Sequence, residues 1–397
     1  MKYAALLGCG IVGGGVEAIM RENAAFLTKS VGEPVELKYI LEPRDCSGQP
    51  YADKVIRDFS VVEQDPAVSV VIECIGGVDA ACDLVRRALG AGKSVVSSNK
   101  QLIAEKGLEL LELAREKDVF LLFEASVGGG IPLLRPLTNC LSANRIDAIY
   151  GIVNGTTNYI LTQMIDCGQD FDSALREAQR LGYAESNPTA DVDGLDAMRK
   201  LCILADLCFG SNLPPERVPV EGIRNVTAAD AAFADQLGYA IKLLAFARRT
   251  EGENFTAFVA PQLVKKGTLL ASVRGVMNAV TVKGDAVGEC LFYGAGAGRM
   301  PTASAIVGDV IDVLRRGNGR KYISWGPERP ERFTDPDAVP ARWYVRYQNG
   351  CANAVMQQCV SGGGDCAGIT AEAMTPAALR EALGGAELLC CFRVLED

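Results

Sequence analysis

Histidine is absent from this chain of 397 residues. Without an imidazole, the Ser-His and Cys-His pairs of nucleophilic enzymes cannot form, and most transition-metal sites lose their commonest ligand. Any acid–base chemistry must therefore be done by lysine, carboxylate, tyrosine or cysteine side chains.

Long apolar runs and excess positive charge are also missing. No apolar run reaches the roughly 20 residues that a membrane-spanning helix needs, so we expect no membrane association. The net charge of −9 argues against nucleic acid as a partner, because a phosphate backbone requires a basic face. Residues 1–15 hold one lysine and an apolar run broken by glycines, which indicates a strand entering a turn rather than a signal peptide. We therefore expect a cytoplasmic protein.

The fourteen cysteines are scattered, many of them in apolar contexts, and no CxxC pair occurs among them. Buried cysteines of this kind behave as small apolar residues in a reducing compartment. The sequence predicts reduced thiols and no disulfide framework.

Short apolar runs alternate with helical patterns over the first third of the chain. Residues 68–74 form a continuous, β-branched run, which is typical of a strand buried on both faces. The βαβ alternation predicts an α/β fold with a doubly wound, Rossmann-type parallel sheet.

The pattern changes along the rest of the chain and indicates further domains. We predict a dinucleotide-binding domain over 1–130, completed by 299–326, and an α+β substrate-binding and dimerisation domain over 131–298. Residues 327–340 are rich in proline and charge, which predicts a linker. Residues 341–397 are expected to form a short α+β appendage, with strands at 342–347 and 388–395 and a helix at 352–359.

A glycine-rich turn, GCGIVG, follows the first predicted strand and opens a helix. In this motif the glycines permit a tight turn, a close approach of the backbone to a pyrophosphate, and close packing of helix on strand. We predict that the turn binds a nicotinamide dinucleotide through Gly8, Gly10, Ile11, Val12 and Gly13. Methyltransferases carry similar turns, so position after a strand is what favours this prediction.

Two charged residues near the end of the second strand bear on which dinucleotide is bound. Glu42 would bind the ribose diol of NAD, whereas Arg44 could accept the extra phosphate of NADP. NAD is slightly favoured because Glu42 is closer to the strand end, and the alternative is that both are solvated loop charges. Lys100 follows another strand and should face the cofactor crevice, although a lysine in such a place is often a surface charge.

Residues 181–204, LGYAESNPTADVDGLDAMRKLCIL, combine one lysine with several carboxylates. Asp196 and Lys200 are spaced i, i+4 and share a helix face, which in an exposed helix would be an ordinary salt bridge. The apolar residues that follow indicate a buried helix, and Glu185 and Asp191 add carboxylates in the preceding loop. Such a cluster suits a substrate with an ammonium group, and its lysine can act as a general acid on a developing alkoxide.

With these motifs the chain resembles homoserine dehydrogenases over residues 1 to about 320. The resemblance is carried by GCGIVGGGV, SSNKQLIA, FEASVGGGIPLL, GIVNGTTNYIL, GYAESNPTADVDGLDAMRKL, IKLLAFA and GAGAGRMPTASAIVGDVID. It implies an NAD(P)-dependent interconversion of L-homoserine and L-aspartate 4-semialdehyde in threonine and methionine biosynthesis. It also implies a homodimer formed through the sheet of the second domain, and an ACT-like character for the C-terminal appendage.

The resemblance further implies roles for individual residues. Lys200 and Lys100 would be catalytic, and Glu185 and Asp196, supported by Asp191, would hold the amino-acid end of the substrate. The remaining roles concern residues near the substrate (Gly155, Thr156), a return to the cofactor (Gly298) and a site for Na⁺ or K⁺ formed largely by backbone carbonyls (Glu124, Val127, Gly129, Ile131).

The residues leave two other hypotheses open. One is a dehydrogenase acting on a related amino-acid semialdehyde, although a phosphorylating enzyme of that kind would need a cysteine with a histidine base. The other is a non-catalytic homologue that senses a dinucleotide, against which the lysines and carboxylates argue.

Overall fold

The computed structural model describes residues 1–316, 323–348, 355–384 and 387–396. Its strands are β1 (Lys2–Leu7), β2 (Val35–Leu41), β3 (Val55–Ile56), β4 (Val68–Glu73), β5 (Ser94–Ser97), β6 (Leu121–Leu122), β7 (Ile146–Ile152), β8 (Tyr239–Arg249), β9 (Phe255–Lys265), β10 (Met277–Gly284), β11 (Gly288–Ala295), β12 (Trp343–Gln348), β13 (Met356–Gly362), β14 (Asp365–Thr370) and β15 (Leu388–Val394). Its helices are α1 (Ile11–Glu22), α2 (Ala24–Val31), α3 (Ser60–Gln64), α4 (Asp79–Gly90), α5 (Lys100–Glu116), α6 (Gly155–Cys167), α7 (Phe171–Arg180), α8 (Thr189–Val192), α9 (Leu195–Phe209), α10 (Ala228–Gln236), α11 (Arg299–Arg316) and α12 (Pro376–Leu383).

The described chain divides into two compact units. The first comprises residues 1–145, 202–215 and 294–328, and the second comprises residues 146–201, 216–293 and 329–397. No helix of the described residues has the length and apolar character needed to cross a bilayer.

The first unit is built on a six-stranded sheet in the order β3-β2-β1-β4-β5-β6. Every neighbouring pair in it is parallel, which confirms the doubly wound, Rossmann-type sheet predicted from the sequence. Strands β1 and β4 lie at its centre, and their β-branched and small residues are almost entirely buried. Because the order reverses between β1 and β4, the carboxyl ends of these strands form the crevice where such folds bind ligands.

The second unit contains a mixed, nine-stranded sheet in the order β11-β10-β7-β8-β9-β15-β12-β14-β13. Strand β15 runs parallel to β9, whereas β8 pairs with β7 on one side and with β9 on the other, both in antiparallel fashion. The four strands after residue 341 therefore continue the sheet of the second unit through the β9–β15 pair. The structure confirms the α+β character of this segment, while its likeness to an ACT domain stays a prediction.

One predicted element of the C-terminal segment is wrong. The helix expected at 352–359 is replaced by strand β13 from Met356 onward, and residues 352–354 lie outside the described residues. Strands β13 and β14 form a hairpin across Gly363 and Gly364, both with positive φ. A two-residue glycine turn of this kind is a strong hairpin signal, which outweighs the helical preference of the Met-Gln-Gln run.

Candidate active site

The glycine turn between β1 and α1 has the geometry of an anion cradle. A Cβ atom on Gly13 would lie 2.1 Å from the carbonyl oxygen of Gly8, and one on Gly8 would lie 2.9 Å from that of Cys74. No side chain caps the start of α1, where Gly10 is the N-cap residue. Exposed backbone N–H groups at a helix N-terminus favour a phosphate, so the residues present fit the pyrophosphate of a dinucleotide.

Glu42 and Arg44 lie beside this turn and are paired with each other. The Glu42 carboxylate is buried and accepts hydrogen bonds from the Cys9 N–H at 2.8 Å and from Arg44 Nε and Nη2, both at 2.8 Å. The Arg44 guanidinium holds the pKa of Glu42 down at about 2, despite its burial. Glu42 is therefore an ionised group aimed at the glycine turn, and the exposed Arg44 side chain stands next to it.

A buried polar network lies at the carboxyl ends of β4 and β5, where Lys100 begins α5. The Glu73 carboxylate accepts from the Ser97 hydroxyl at 2.5 Å and from the Ile75 N–H at 2.8 Å. Asn99 caps α5 by accepting from the Leu102 N–H at 3.0 Å. The network fixes the backbone from which the Lys100 side chain projects.

The acidic segment of the second unit folds into a compact cluster around Lys200. The Lys200 ammonium donates to Asp196 Oδ2 at 2.7 Å and to the Val153 carbonyl at 2.6 Å. Asn154 Nδ2 donates to Asp191 Oδ1 at 2.7 Å and to Asp196 Oδ2 at 2.9 Å. The amide of Asn154 thus bridges two carboxylates, one of which also holds the lysine.

Burial strengthens the interactions between the charged groups of this cluster. Lys200 is 7% exposed and Asp196 is 5% exposed, so the pair is not an ordinary salt bridge on an exposed helix. Burial raises the pKa of Asp191 above its usual range, and the hydrogen bond from Asn154 opposes that rise. An added ammonium group would be stabilised between these carboxylates, because opposite charges attract strongly where water is excluded.

The remaining predicted substrate residues differ in their surroundings. Gly155 begins α6, and a Cβ atom there would lie 2.6 Å from the Val276 carbonyl oxygen. The Thr156 hydroxyl donates to the Tyr183 carbonyl at 2.7 Å. Glu185 lies exposed on the loop before α8, and no described contact joins its carboxylate to the cluster.

The segment predicted to bind a monovalent cation is held by its own glutamate. The Glu124 carboxylate accepts from the N–H groups of Leu133, Leu134 and Arg135 at 2.5, 3.0 and 2.7 Å. That carboxylate is therefore used inside the turn, and only backbone carbonyls would remain for a cation. No cluster of acidic or cysteine residues suited to a metal occurs among the described residues.

The same turn packs closely on the segment that holds Gly298. A Cβ atom on Gly129 would lie 2.5 Å from the Gly296 carbonyl oxygen, and the Gly130 N–H donates to the Ala295 carbonyl at 3.0 Å. Gly298 has a φ of +128°, a conformation that favours glycine, and it directly precedes α11.

Two residues of these networks, Glu73 and Asn154, were not among the predicted site residues. Asn154 stands in the NGTTNY motif, directly before the two residues that were predicted. A polar residue between a buried strand and a helix is the signal that could have identified it as both a cap and a site residue. Glu73 ends β4 in the same way, so its position at a strand's carboxyl end was the available signal.

These two sites define a class of protein: a nicotinamide-dinucleotide oxidoreductase that acts on a small substrate. Residues 8–124 match the family model described as the NAD binding domain of homoserine dehydrogenase, and residues 132–311 match the homoserine dehydrogenase model. The chain is 46% identical to the homoserine dehydrogenase of Pseudomonas aeruginosa over 354 residues, which are 86% of this chain and 81% of the relative. It therefore belongs to the homoserine dehydrogenase family, an NAD(P)-dependent family of oxidoreductases that act on a CH–OH group.

Solved structures support the same assignment. The crystal structure of a homoserine dehydrogenase from Thiobacillus denitrificans superposes with a TM-score of 0.91 at 36% identity, covering 100% of this chain and 98% of that one. A hyperthermophilic archaeal homoserine dehydrogenase in complex with NADPH superposes with a TM-score of 0.67 at 28% identity, covering 82% of this chain and 100% of that one.

Proposed function

We propose that Lys200 is the general acid of this enzyme and that Asp191 and Asp196 hold the ammonium group of the substrate. The observation that carries the proposal is the buried Lys200–Asp196 pair, in which the ammonium uses two hydrogen bonds, to Asp196 and to the Val153 carbonyl. An ammonium has three N–H donors, so a third is available to a substrate oxygen.

In the reducing direction, negative charge develops on the aldehyde oxygen of aspartate semialdehyde. The bound nicotinamide supplies the hydride, and the protein supplies position and charge. Lys200 stabilises the oxygen and transfers a proton to it, while Asp196 orients the lysine through its hydrogen bond. Lys100 is proposed as a second cationic group of the active site, and Glu185, Gly155 and Thr156 as further substrate contacts.

The test is a Lys200→Met variant compared with Lys29→Met, which changes an exposed lysine of α2. Loss of a general acid lowers turnover by about 10²–10⁴-fold, so we expect kcat of Lys200→Met to fall by that amount while NADPH binding, measured by fluorescence titration, is kept. The Lys29 variant should match wild type. Turnover of Lys200→Met within a factor of three of wild type would refute the assignment.

For the cofactor, we propose that both NAD and NADP are accepted, with NAD slightly favoured by Glu42. The ionised Glu42 carboxylate beside the glycine turn supports binding of a ribose diol. Arg44 is the group that would accept the extra phosphate of NADP, and to do so its guanidinium must release Glu42. Gly8, Gly10, Ile11, Val12, Gly13, Lys100 and Gly298 are proposed to contact the dinucleotide.

We also propose a site for Na⁺ or K⁺ formed by Glu124, Val127, Gly129 and Ile131. Gly128 and Gly129 both have positive φ, and the Glu124 carboxylate fixes the following backbone by three hydrogen bonds. Backbone carbonyls held in a rigid turn can replace the hydration shell of a monovalent cation.

A homodimer in the cytoplasm is the proposed state of the enzyme. Exposed apolar side chains of the second unit, among them Leu269 at 70% and Tyr293 at 56% exposed, support an interface on that unit. The thirteen cysteines of the described residues are thiols rather than disulfides, which is typical of a reducing compartment.

A further inference from the structure

A cleft in the second unit lies between one face of the sheet and the segment before β12. Its floor is formed by β8, β9 and β15, and its wall includes Pro336 and Val339. The cleft encloses about 430 Å³, counted out to its open mouth. It is separate from the cluster around Lys200, none of whose residues lines it.

Strand register places six side chains on the floor in neighbouring pairs. Residues directly opposite each other on neighbouring strands, and alternate residues along one strand, point to the same face of a sheet. The register pairs are Arg248 with Thr256, Phe246 with Phe258, and Gln262 with Arg393. Two cationic, two aromatic and two neutral polar side chains thus line one small space.

The two neutral polar side chains are buried without partners. The Thr256 hydroxyl and the Gln262 Nε2 atom have no hydrogen-bond partner among the described residues, and these residues are 1% and 2% exposed. Buried polar groups are almost always hydrogen-bonded, because leaving one unpaired costs the free energy of its desolvation. Two orphaned groups lining the same cleft indicate a ligand that pairs with them.

Both arginines of the cleft are held over aromatic rings. The Arg393 guanidinium lies 4.8 Å from the centroid of Phe258 and 4.5 Å from that of Trp343. It donates to the Pro336 carbonyl and to Asp337 Oδ1, both at 2.9 Å and both through Nη2, so its Nε and Nη1 donors remain available. Burial lowers the pKa of Arg393 from its ordinary value, because Asp337 compensates its charge only in part.

Arg248 has fewer described partners than Arg393. Its guanidinium lies 5.8 Å from the centroid of Phe246, and it forms no ion pair with the described residues. The carboxylate that lines the cleft, that of Glu396, lies 3.9 Å from Arg342 Nε. Arg248 is therefore a positive charge on the floor that no described carboxylate neutralises.

We propose that this cleft binds a small organic carboxylate, whose charge lies between Arg248 and Arg393 and whose remaining polar atoms pair with Thr256 and Gln262. Guanidinium forks match the planar geometry of a carboxylate, and the rings of Phe246 and Phe258 pack against its apolar part. The proposal concerns a site distinct from the one that holds the substrate.

The test measures binding of three carboxylates by isothermal titration calorimetry on the full chain. Succinate, citrate and benzoate are the probes, and succinamide and benzamide are the uncharged counterparts of succinate and benzoate. We expect at least one carboxylate to bind with a Kd of about 1 mM or below, and the amides to bind at least tenfold more weakly. Arg248→Gln should weaken carboxylate binding at least tenfold, whereas Arg176→Gln, on exposed α7, should leave it unchanged.

A Thr256→Val variant separates a ligand-binding role from a structural one. Because the hydroxyl is unpaired in the free protein, its removal should raise Tm by about 1–3 °C while weakening carboxylate binding several-fold. Turnover of homoserine should be unchanged in Arg248→Gln and Thr256→Val, which excludes the substrate site as the place of binding. The proposal is overturned if no carboxylate binds, if Arg248→Gln binds as well as Arg176→Gln, or if Thr256→Val lowers Tm.

Discussion

Replacing Asn154 should disable the acidic cluster without displacing any charged residue. The side chain does two things at once: its Oδ1 accepts from the Thr157 N–H at 2.9 Å and caps α6, and its Nδ2 bridges Asp191 and Asp196. Alanine removes both functions. Serine keeps an oxygen that can cap the helix, but it cannot span the two carboxylates.

The magnitude follows from the bonds that are lost. A hydrogen bond to a charged group contributes about 1.5–3 kcal/mol, so if one of the two acts in the transition state, kcat/KM falls by about 10–100-fold. Loss of the cap should lower the free energy of unfolding by about 1 kcal/mol in Asn154→Ala and by much less in Asn154→Ser. The two variants should therefore lose similar activity but different stability.

The pH dependence gives a readout that a merely structural role would not move. The hydrogen bond from Asn154 lowers the pKa of Asp191, so its removal lets burial raise that pKa further. Asp191 must be ionised to hold an ammonium group, and the acid limb of the kcat/KM–pH profile should shift to higher pH in both variants.

Asp170→Ala is the matched control for these variants, because Asp170 caps α7 through the Ser173 N–H and lies outside the cluster. Its stability should fall by a similar amount, with the pH profile unchanged. The reasoning is refuted if Asn154→Ser retains wild-type kcat/KM, or if Asp170→Ala loses as much activity as Asn154→Ala.

Two further predictions concern cofactor choice and stability. Arg44→Ala should lower kcat/KM with NADPH by about tenfold or more and leave NADH turnover unchanged or higher, because Glu42 is freed for the ribose diol; equal losses with both cofactors in steady-state kinetics would contradict the assignment. Burial lowers the pKa of Lys242 from 10.5 to about 8. Between these two pH values the unfolded chain binds more protons than the folded one, so the free energy of unfolding rises with pH. This group contributes up to about 3 kcal/mol to that rise. Denaturant unfolding of Lys242→Met at pH 8 and pH 10 should show a smaller rise than wild type, and identical rises would show that Lys242 is already charged in the folded protein.

The parallel sheet of the first unit could be predicted from the sequence. Its strands are short, β-branched and separated by helical patterns, so periodicity and the glycine turn together specify a parallel sheet. Strand β8 was harder to predict from the sequence, because its apolar run is buried on both faces and interrupted by Lys242. Such a run does not distinguish a helix from a strand. The hairpin of β13 and β14 was missed for a related reason, since the local preference for helix and the glycine turn disagree.

The candidate site shows the same division between what is local and what is not. Asp196 and Lys200 could be identified because their spacing of four residues makes them neighbours in any helix. The contacts of Asn154 span 37 and 42 residues, and such distances are set by topology rather than by local pattern. Residue type and spacing therefore identify the charged groups of a site, whereas the neutral groups that orient them emerge only once the chain is folded.

Both units use an asparagine at a strand–helix junction for this orienting role. Asn99 caps α5 with its Oδ1 and fixes the Gly77 carbonyl with its Nδ2 at 2.5 Å, just as Asn154 caps α6 and fixes two carboxylates. An asparagine suits this position because its amide carries an acceptor and a donor on one short side chain, so the backbone turn and the neighbouring group are held by the same residue. Aspartate would cap each helix equally well but would present a negative charge where a donor is needed. The capping preference alone thus leaves the choice open, and it is the second contact of the amide that requires asparagine at both junctions.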